Sequence, residues 1–176
     1  MKTILGFNFS NKTALIRVDF NVPLNSQFEV TDATRIVSAK PTIMKVLEDG
    51  GSCILMSHLG RPKSKEPAFS LRHIVSTLET VLGIEVLFSA NCIGQNAQKA
   101  CDNLRPGQVL LLENLRYHSE ETNGGLGFAE ALSNLGDFYI NDAFGTAHRA
   151  HASTTIIAQF FSENKCFGSL LAQEIE

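Results

Sequence analysis

The run Val109-Leu110-Leu111-Leu112 has no polar position to turn toward water. A strand of this kind needs apolar cover on both faces. A parallel sheet between two helical layers supplies that cover, whereas an antiparallel hairpin sheet commonly leaves one face wet. Four further short runs share the habit, and helix-periodic segments separate them. The spacing predicts strands over Thr13 to Val18, Cys53 to Ser57, Ile84 to Phe88, Val109 to Glu113 and Phe138 to Asn141. Alternation of such strands with helices implies an α/β chain, a three-layer Rossmann-like domain with a central parallel sheet flanked by helices.

The intervening segments carry their own signals. Thr31 is placed to cap a helix that Pro41 opens or continues as far as Asp49, with Gly50-Gly51 ending it. Ser70 precedes apolar positions Leu71, Ile74, Val75, Leu78, Val81 and Leu82, and Gly83 stops that helix. Shorter helices are predicted around Ile93 to Leu104 and Phe128 to Leu135. A last one is expected over Ala152 to Phe161, against the β-branched run Thr154 to Ile157. The final residues from Leu170 read as the start of an amphipathic helix with Leu171 and Ile175 on one face.

With 176 residues the chain is long enough for one domain with a sizeable core. The net charge of −3 argues against a protein that coats nucleic acid, which would carry a strong positive excess. No apolar stretch reaches membrane-spanning length and the first residues lack a signal-peptide core, so a cytoplasmic location is expected. Cys53, Cys92, Cys101 and Cys166 are widely spaced, without a metal-ligand pattern, and read as reduced thiols.

Against this acidic background, five of seven arginines lie at or just beyond the ends of predicted strands: Arg17, Arg35, Arg61, Arg116 and Arg149. His58 and His148 accompany them. In an open parallel sheet all strand carboxyl ends face one crevice, so these cations would converge there. Planar guanidinium forks suit a phosphate or carboxylate. Asp19 and Asn21 after the first strand share a face in extended geometry, with Phe20 on the other. They either bind a ligand hydroxyl and anion or close a local turn on their own backbone. In His58-Leu59-Gly60-Arg61, Gly60 permits close backbone approach. Glu113, if buried, needs Arg116 or a backbone donor as partner. His118 reads as exposed and His151 as support behind the site. No phosphate-loop or strand-linked G-x-G-x-x-G signature occurs.

Five words of sequence together closely resemble the N-terminal half of the phosphoglycerate kinase family: Arg17-Val18-Asp19-Phe20-Asn21-Val22-Pro23, Asp32-Ala33-Thr34-Arg35-Ile36, Ser57-His58-Leu59-Gly60-Arg61-Pro62, Glu113-Asn114-Leu115-Arg116, and Asn141 through His151. They occur in the family's order and cover almost the whole chain. The resemblance implies a monomeric, hinge-bending glycolytic kinase. Its N-terminal domain (here 1–168) binds 3-phosphoglycerate or 1,3-bisphosphoglycerate, and 169–176 begins the interdomain helix. Mg-ADP or Mg-ATP belongs to a C-terminal domain that is not in this chain, so no cofactor is expected here. By the same resemblance, Asp19 and Asn21 bind the glycerate hydroxyl and carboxylate region. His58, Arg61, Arg116 and Arg149 grip the non-transferred phosphate, with His148 in the same basic patch. Arg35 stabilises the transferring phosphoryl group, while Phe20, Leu59 and Gly60 complete the substrate-binding set. Arg17, within the strand before Asp19, is expected to support the patch from behind and not to grip the ligand itself. A stand-alone anion-binding module and a nucleotide-binding Rossmann domain are the competing readings.

Overall fold

The computed structural model describes residues 3–143 and 149–169. Six strands form one sheet: β1 Thr13–Arg17, β2 Ser52–Met56, β3 Val86–Ser89, β4 Val109–Leu112, β5 Phe138–Asn141 and β6 Lys165–Phe167. Their order is β3-β4-β2-β1-β5-β6, and each neighbouring pair is parallel. Every strand therefore ends at the same edge of the sheet.

Alternate residues of each strand enter opposite cores, as the pleat requires. Ile16, Cys53, Leu55, Val109, Leu111, Phe138 and Ile140 join one cluster. Ile36, Ile43 and Val46 of helix α1 (Thr34–Glu48) cover it, together with Leu78 and Leu82 of α2 (Val75–Leu82). Leu15, Ile54, Met56, Leu110, Leu112 and Tyr139 join the other. There they meet Cys101 of α3 (Gln95–Asp102) and Phe128 and Leu132 of α4 (Leu126–Ser133). The continuous apolar run at 109–112 is thus explained: its four residues are divided between two cores.

Several boundaries differ from the sequence expectation for local reasons. Asp32, not Thr31, serves the start of α1, its Oδ1 accepting from the Thr34 amide and hydroxyl at 2.9 and 2.6 Å. Of the two roles open to Pro41, it continues that helix from inside and does not open it. Ser70 caps as expected, accepting from the Arg72 amide, but the turn it starts is 3₁₀ over Leu71–Ile74 before α2 begins. Gly83 closes α2 with φ of 73°, the left-handed form that favours glycine, and this delays β3 to Val86. The expected helix from Ala152 is only a 3₁₀ turn, Ile156–Phe160. Thr154 and Thr155 both send their hydroxyls to the Arg149 carbonyl, a local bond that competes with helix. The edge strand β6 was not foreseen, because Lys165-Cys166-Phe167 is too short to show a period. The amphipathic segment from Leu170 lies outside the described residues.

Candidate functional site

Strand order places the crevice. From β1 the chain adds β2, β3 and β4 on one side, then crosses to add β5 and β6 on the other. The topological switch lies between β1 and β5, where ligands of open α/β sheets bind beyond the strand ends. The segments after β1, β2, β4 and β5 carry the predicted residues. They surround a cavity of about 300 Å³ lined by Asp19, Asn21, Arg35, His58, Gly60, Arg61, Arg116 and Arg149. A larger hollow of about 710 Å³ continues past Arg61, Arg116 and Arg149 to Lys63, His118 and His151.

Asp19 and Asn21 do both things the sequence allows. Asp19 Oδ1 accepts from the Asn21 amide at 3.1 Å, a local turn, yet both residues line the cavity. Arg35 reaches across from α1, donating to the Asn21 carbonyl at 2.8 Å and to Asp19 Oδ1 at 3.3 Å. It remains half exposed. Asn21 Oδ1 in turn accepts from the Gly60 amide at 2.9 Å, joining the first loop to the second. Gly60 has φ of 62°, and a Cβ there would run into the Phe69 ring.

Asn114 holds the second loop against the fourth strand. Its Oδ1 accepts from the Leu59 and Arg116 amides at 3.2 and 3.0 Å. Its Nδ2 donates to the Leu59 and Phe69 carbonyls at 2.7 and 2.8 Å. Glu113 finds its partners in Ser70 Oγ and the Leu71 and Asn114 amides, not in Arg116. That leaves the Arg116 guanidinium with one long bond, to the Gly60 carbonyl at 3.4 Å, and a buried Nε without a partner among the described residues. The side chains of Arg61 and Arg149 likewise have no hydrogen-bonding or carboxylate partner among those residues. Burial first, then the charges of Arg17, Arg61 and Arg149, push the Arg116 pKa down against the pull of Glu121. Several cations thus repel one another at close range, a repulsion that a bound anion relieves.

Behind the cavity Arg17 is completely buried. Its Nε donates to Ser153 Oγ at 2.8 Å, and its Nη2 lies 3.0 Å from His58 Nδ1 and 3.8 Å from Glu121 Oε2. Glu121, also buried, accepts from the Ser153 hydroxyl and amide. Tyr139 anchors the Ser153 carbonyl at 2.6 Å. Burial, then the positive charge of Arg17, drives the His58 pKa down to about 2. His58 is therefore a neutral group, not one more cation of the patch.

The remaining sequence expectations divide. Phe20 lies in the core, not in the cavity: its ring is fully buried and its amide donates to Ser57 Oγ. Leu59 is buried and lines an apolar side cavity of about 280 Å³ with Val22, Leu24, Phe28 and Phe69. His148 lies outside the described residues. His118 is half-buried, stacked on Phe128 with centroids 4.8 Å apart, and is not the exposed residue expected. His151 is buried beside the larger hollow with Nδ1 unpartnered among the described residues. Sequence reasoning missed Glu121 and Ser153, and gave Asn114 no role of its own. Glu121 sits in a polar run that reads as a solvated turn, and only the fold turns it inward.

Comparison with known proteins agrees with this arrangement. The family model described as phosphoglycerate kinase matches residues 4–176. Phosphoglycerate kinase of Porphyromonas gingivalis is 46% identical over 198 aligned positions, covering 99% of this chain and 47% of the relative. That of Chlorobium phaeovibrioides is 50% identical over 160, covering 90% and 40%. Among solved structures, phosphoglycerate kinase from Coxiella burnetii superposes with a TM-score of 0.88 at 34% identity, covering 99% of this chain and 43% of that one. The enzyme from Pyrococcus horikoshii gives 0.89 at 30% identity, covering 99% and 44%. The chain spans less than half the length of these relatives. The matched residues and the parallel six-stranded sheet place it in the phosphoglycerate kinase family.

Proposed function

We propose that this chain is the phosphoglycerate-holding domain of a kinase that moves phosphate between 1,3-bisphosphoglycerate and ADP, giving 3-phosphoglycerate and ATP. The observation that carries the reading is the cavity of about 300 Å³, lined by Asp19 and Asn21 together with Arg61 and Arg149, whose guanidiniums have no partner among the described residues. A small molecule with a phosphate at one end and a hydroxyl and carboxylate at the other complements that arrangement. Arg61, Arg116 and Arg149 grip the phosphate that stays, with His58 as an added donor. Asp19 accepts from the hydroxyl. Arg35, held by its own bonds at the exposed mouth, stabilises charge on the phosphoryl group that moves.

Phosphoryl transfer asks a protein mainly for alignment and cationic stabilisation away from bulk water. Closure of a second domain over the mouth would supply the water exclusion. Magnesium and nucleotide belong, on this reading, to the length of the relatives that this chain does not span. Among the described residues no group of three His, Cys, Asp or Glu side chains is arranged to hold a metal ion. Nor is any described helix long and apolar enough to cross a membrane. A cytoplasmic location and a monomeric state belong to the glycolytic reading itself. Residues 1–168 form the binding domain and 169–176 lead toward its partner domain. The 176-residue chain alone should bind 3-phosphoglycerate weakly, ignore ATP, and form no ATP from 1,3-bisphosphoglycerate and ADP. Tight ATP binding without a 3-phosphoglycerate response, or robust turnover, would refute this assignment.

A further inference from the structure

A buried arginine behind a cation-lined cavity needs a reason, because removing a guanidinium from water is costly unless its donors are used. Arg17 uses them in three directions. Nη1 donates to the Val18 carbonyl, Nε to Ser153 Oγ, and Nη2 points at His58 Nδ1 at 3.0 Å. Glu121 balances the charge from 3.8 Å and fixes Ser153 through two hydrogen bonds. Arginine carries five N–H donors and no acceptor. The contact with His58 is therefore a hydrogen bond only if Nδ1 is unprotonated. The single ring proton must then sit on Nε2.

We propose that Arg17, braced by Ser153 and Glu121, is a positioning residue that locks His58 as the Nε2–H tautomer and aims one neutral donor into the cavity. Nε2 has no partner among the described residues, and His58 is one of the residues lining the cavity of about 300 Å³. The device is a sensible one for this patch. An imidazolium among Arg17, Arg116, Arg35 and His151 would add repulsion, whereas a neutral N–H still bonds an oxyanion. It also keeps the donor unchanged while pH varies around neutrality. The lock is read from geometry; its use on a substrate rests on the phosphoglycerate reading above.

Two-bond ¹H–¹⁵N correlation spectra of ¹⁵N-histidine-labelled chain, recorded from pH 8 to pH 5, test the lock without any ligand. His58 Nδ1 should resonate as an unprotonated nitrogen and Nε2 as a protonated one, with no change across the range. An Nδ1–H tautomer, or titration with a midpoint near 6.5, would overturn the proposal. In Arg17→Met the two nitrogen shifts should converge and begin to titrate; unchanged shifts would equally overturn it. If that variant does not fold, the wild-type spectrum still decides. Binding supplies a second arm. The amide nitrogen of His58→Gln takes the place of Nε2, and that of His58→Asn the place of Nδ1. Affinity for 3-phosphoglycerate should fall about tenfold in His58→Asn and at most about threefold in His58→Gln. Equal losses would contradict the assigned donor. A locked Nε2–H tautomer in a chain that ignores 3-phosphoglycerate would refute the substrate reading and leave the lock standing.

Discussion

Asn114→Ala removes the clamp that joins the loop after β2 to the loop after β4, and its cost follows from the four bonds lost. Two amides, of Leu59 and Arg116, lose their acceptor, and two carbonyls, of Leu59 and Phe69, lose their donor. Leu59 and Asn114 are buried, so the Leu59 pair has no water to turn to; Phe69 and Arg116 are only partly covered. Taking about 1–2 kcal/mol for each fully buried orphan and less for the other two gives a loss of about 3–4 kcal/mol. That is a large share of the roughly 5–15 kcal/mol that holds a domain together. Urea unfolding followed by circular dichroism is the assay. With a slope of roughly 2 kcal/mol per molar, the midpoint should fall by about 1.5–2 M without a change in slope. Asn114→Asp keeps the two acceptances and loses the two donations, so it should fall between the wild type and Asn114→Ala. A loss below about 1 kcal/mol for Asn114→Ala would show that water replaces the side chain and that the clamp is not what fixes the loop.

Other consequences follow from the same geometry. Gly60→Ala combines a left-handed φ with a clash against Phe69; it should cost about 1–3 kcal/mol in the same urea assay and weaken anion binding, and neutral stability would contradict the observed packing. Acid should destabilise the chain through His58. Its folded pKa lies far below the unfolded 6.5, so its contribution is complete above pH 6.5 and is lost as pH falls toward the folded value. Between pH 6.5 and 4.5 the loss is about 2 kcal/mol from this group. Wild type should therefore lose about that much more than His58→Gln over the interval, and equal pH dependence would show that His58 protonates freely in the folded chain.

How much of this was legible depended on whether the cause was local. The apolar runs announced the strands because parallel strands are covered on both faces, and Phe138–Asn141 was predicted to the residue. Gly83 announced a helix end for a reason internal to glycine. The convergence of Arg61, Arg116 and Arg149 followed from one topological fact, that parallel strands end at one edge. What stayed hidden depends on distant partners. That Arg17 backs the patch could be expected from its place within the first strand, but nothing near it in sequence names its partners Glu121 and Ser153, more than a hundred residues away. Asp19 is an even case: its spacing allowed a turn or a site, and the structure builds the turn at the rim of the cavity.

Calorimetric titration of the 176-residue chain with 3-phosphoglycerate, run on wild type, Arg61→Ala and Arg35→Ala, tests the central claim most directly. Arg61 has no partner among the described residues and faces the cavity, while Arg35 is engaged by Asp19 and the Asn21 carbonyl at an exposed mouth. Binding should be measurable and drop about tenfold or more in Arg61→Ala and only a few-fold in Arg35→Ala, whose proposed role lies in the transfer itself. No heat of binding in the wild type, or a larger loss in Arg35→Ala than in Arg61→Ala, would contradict it.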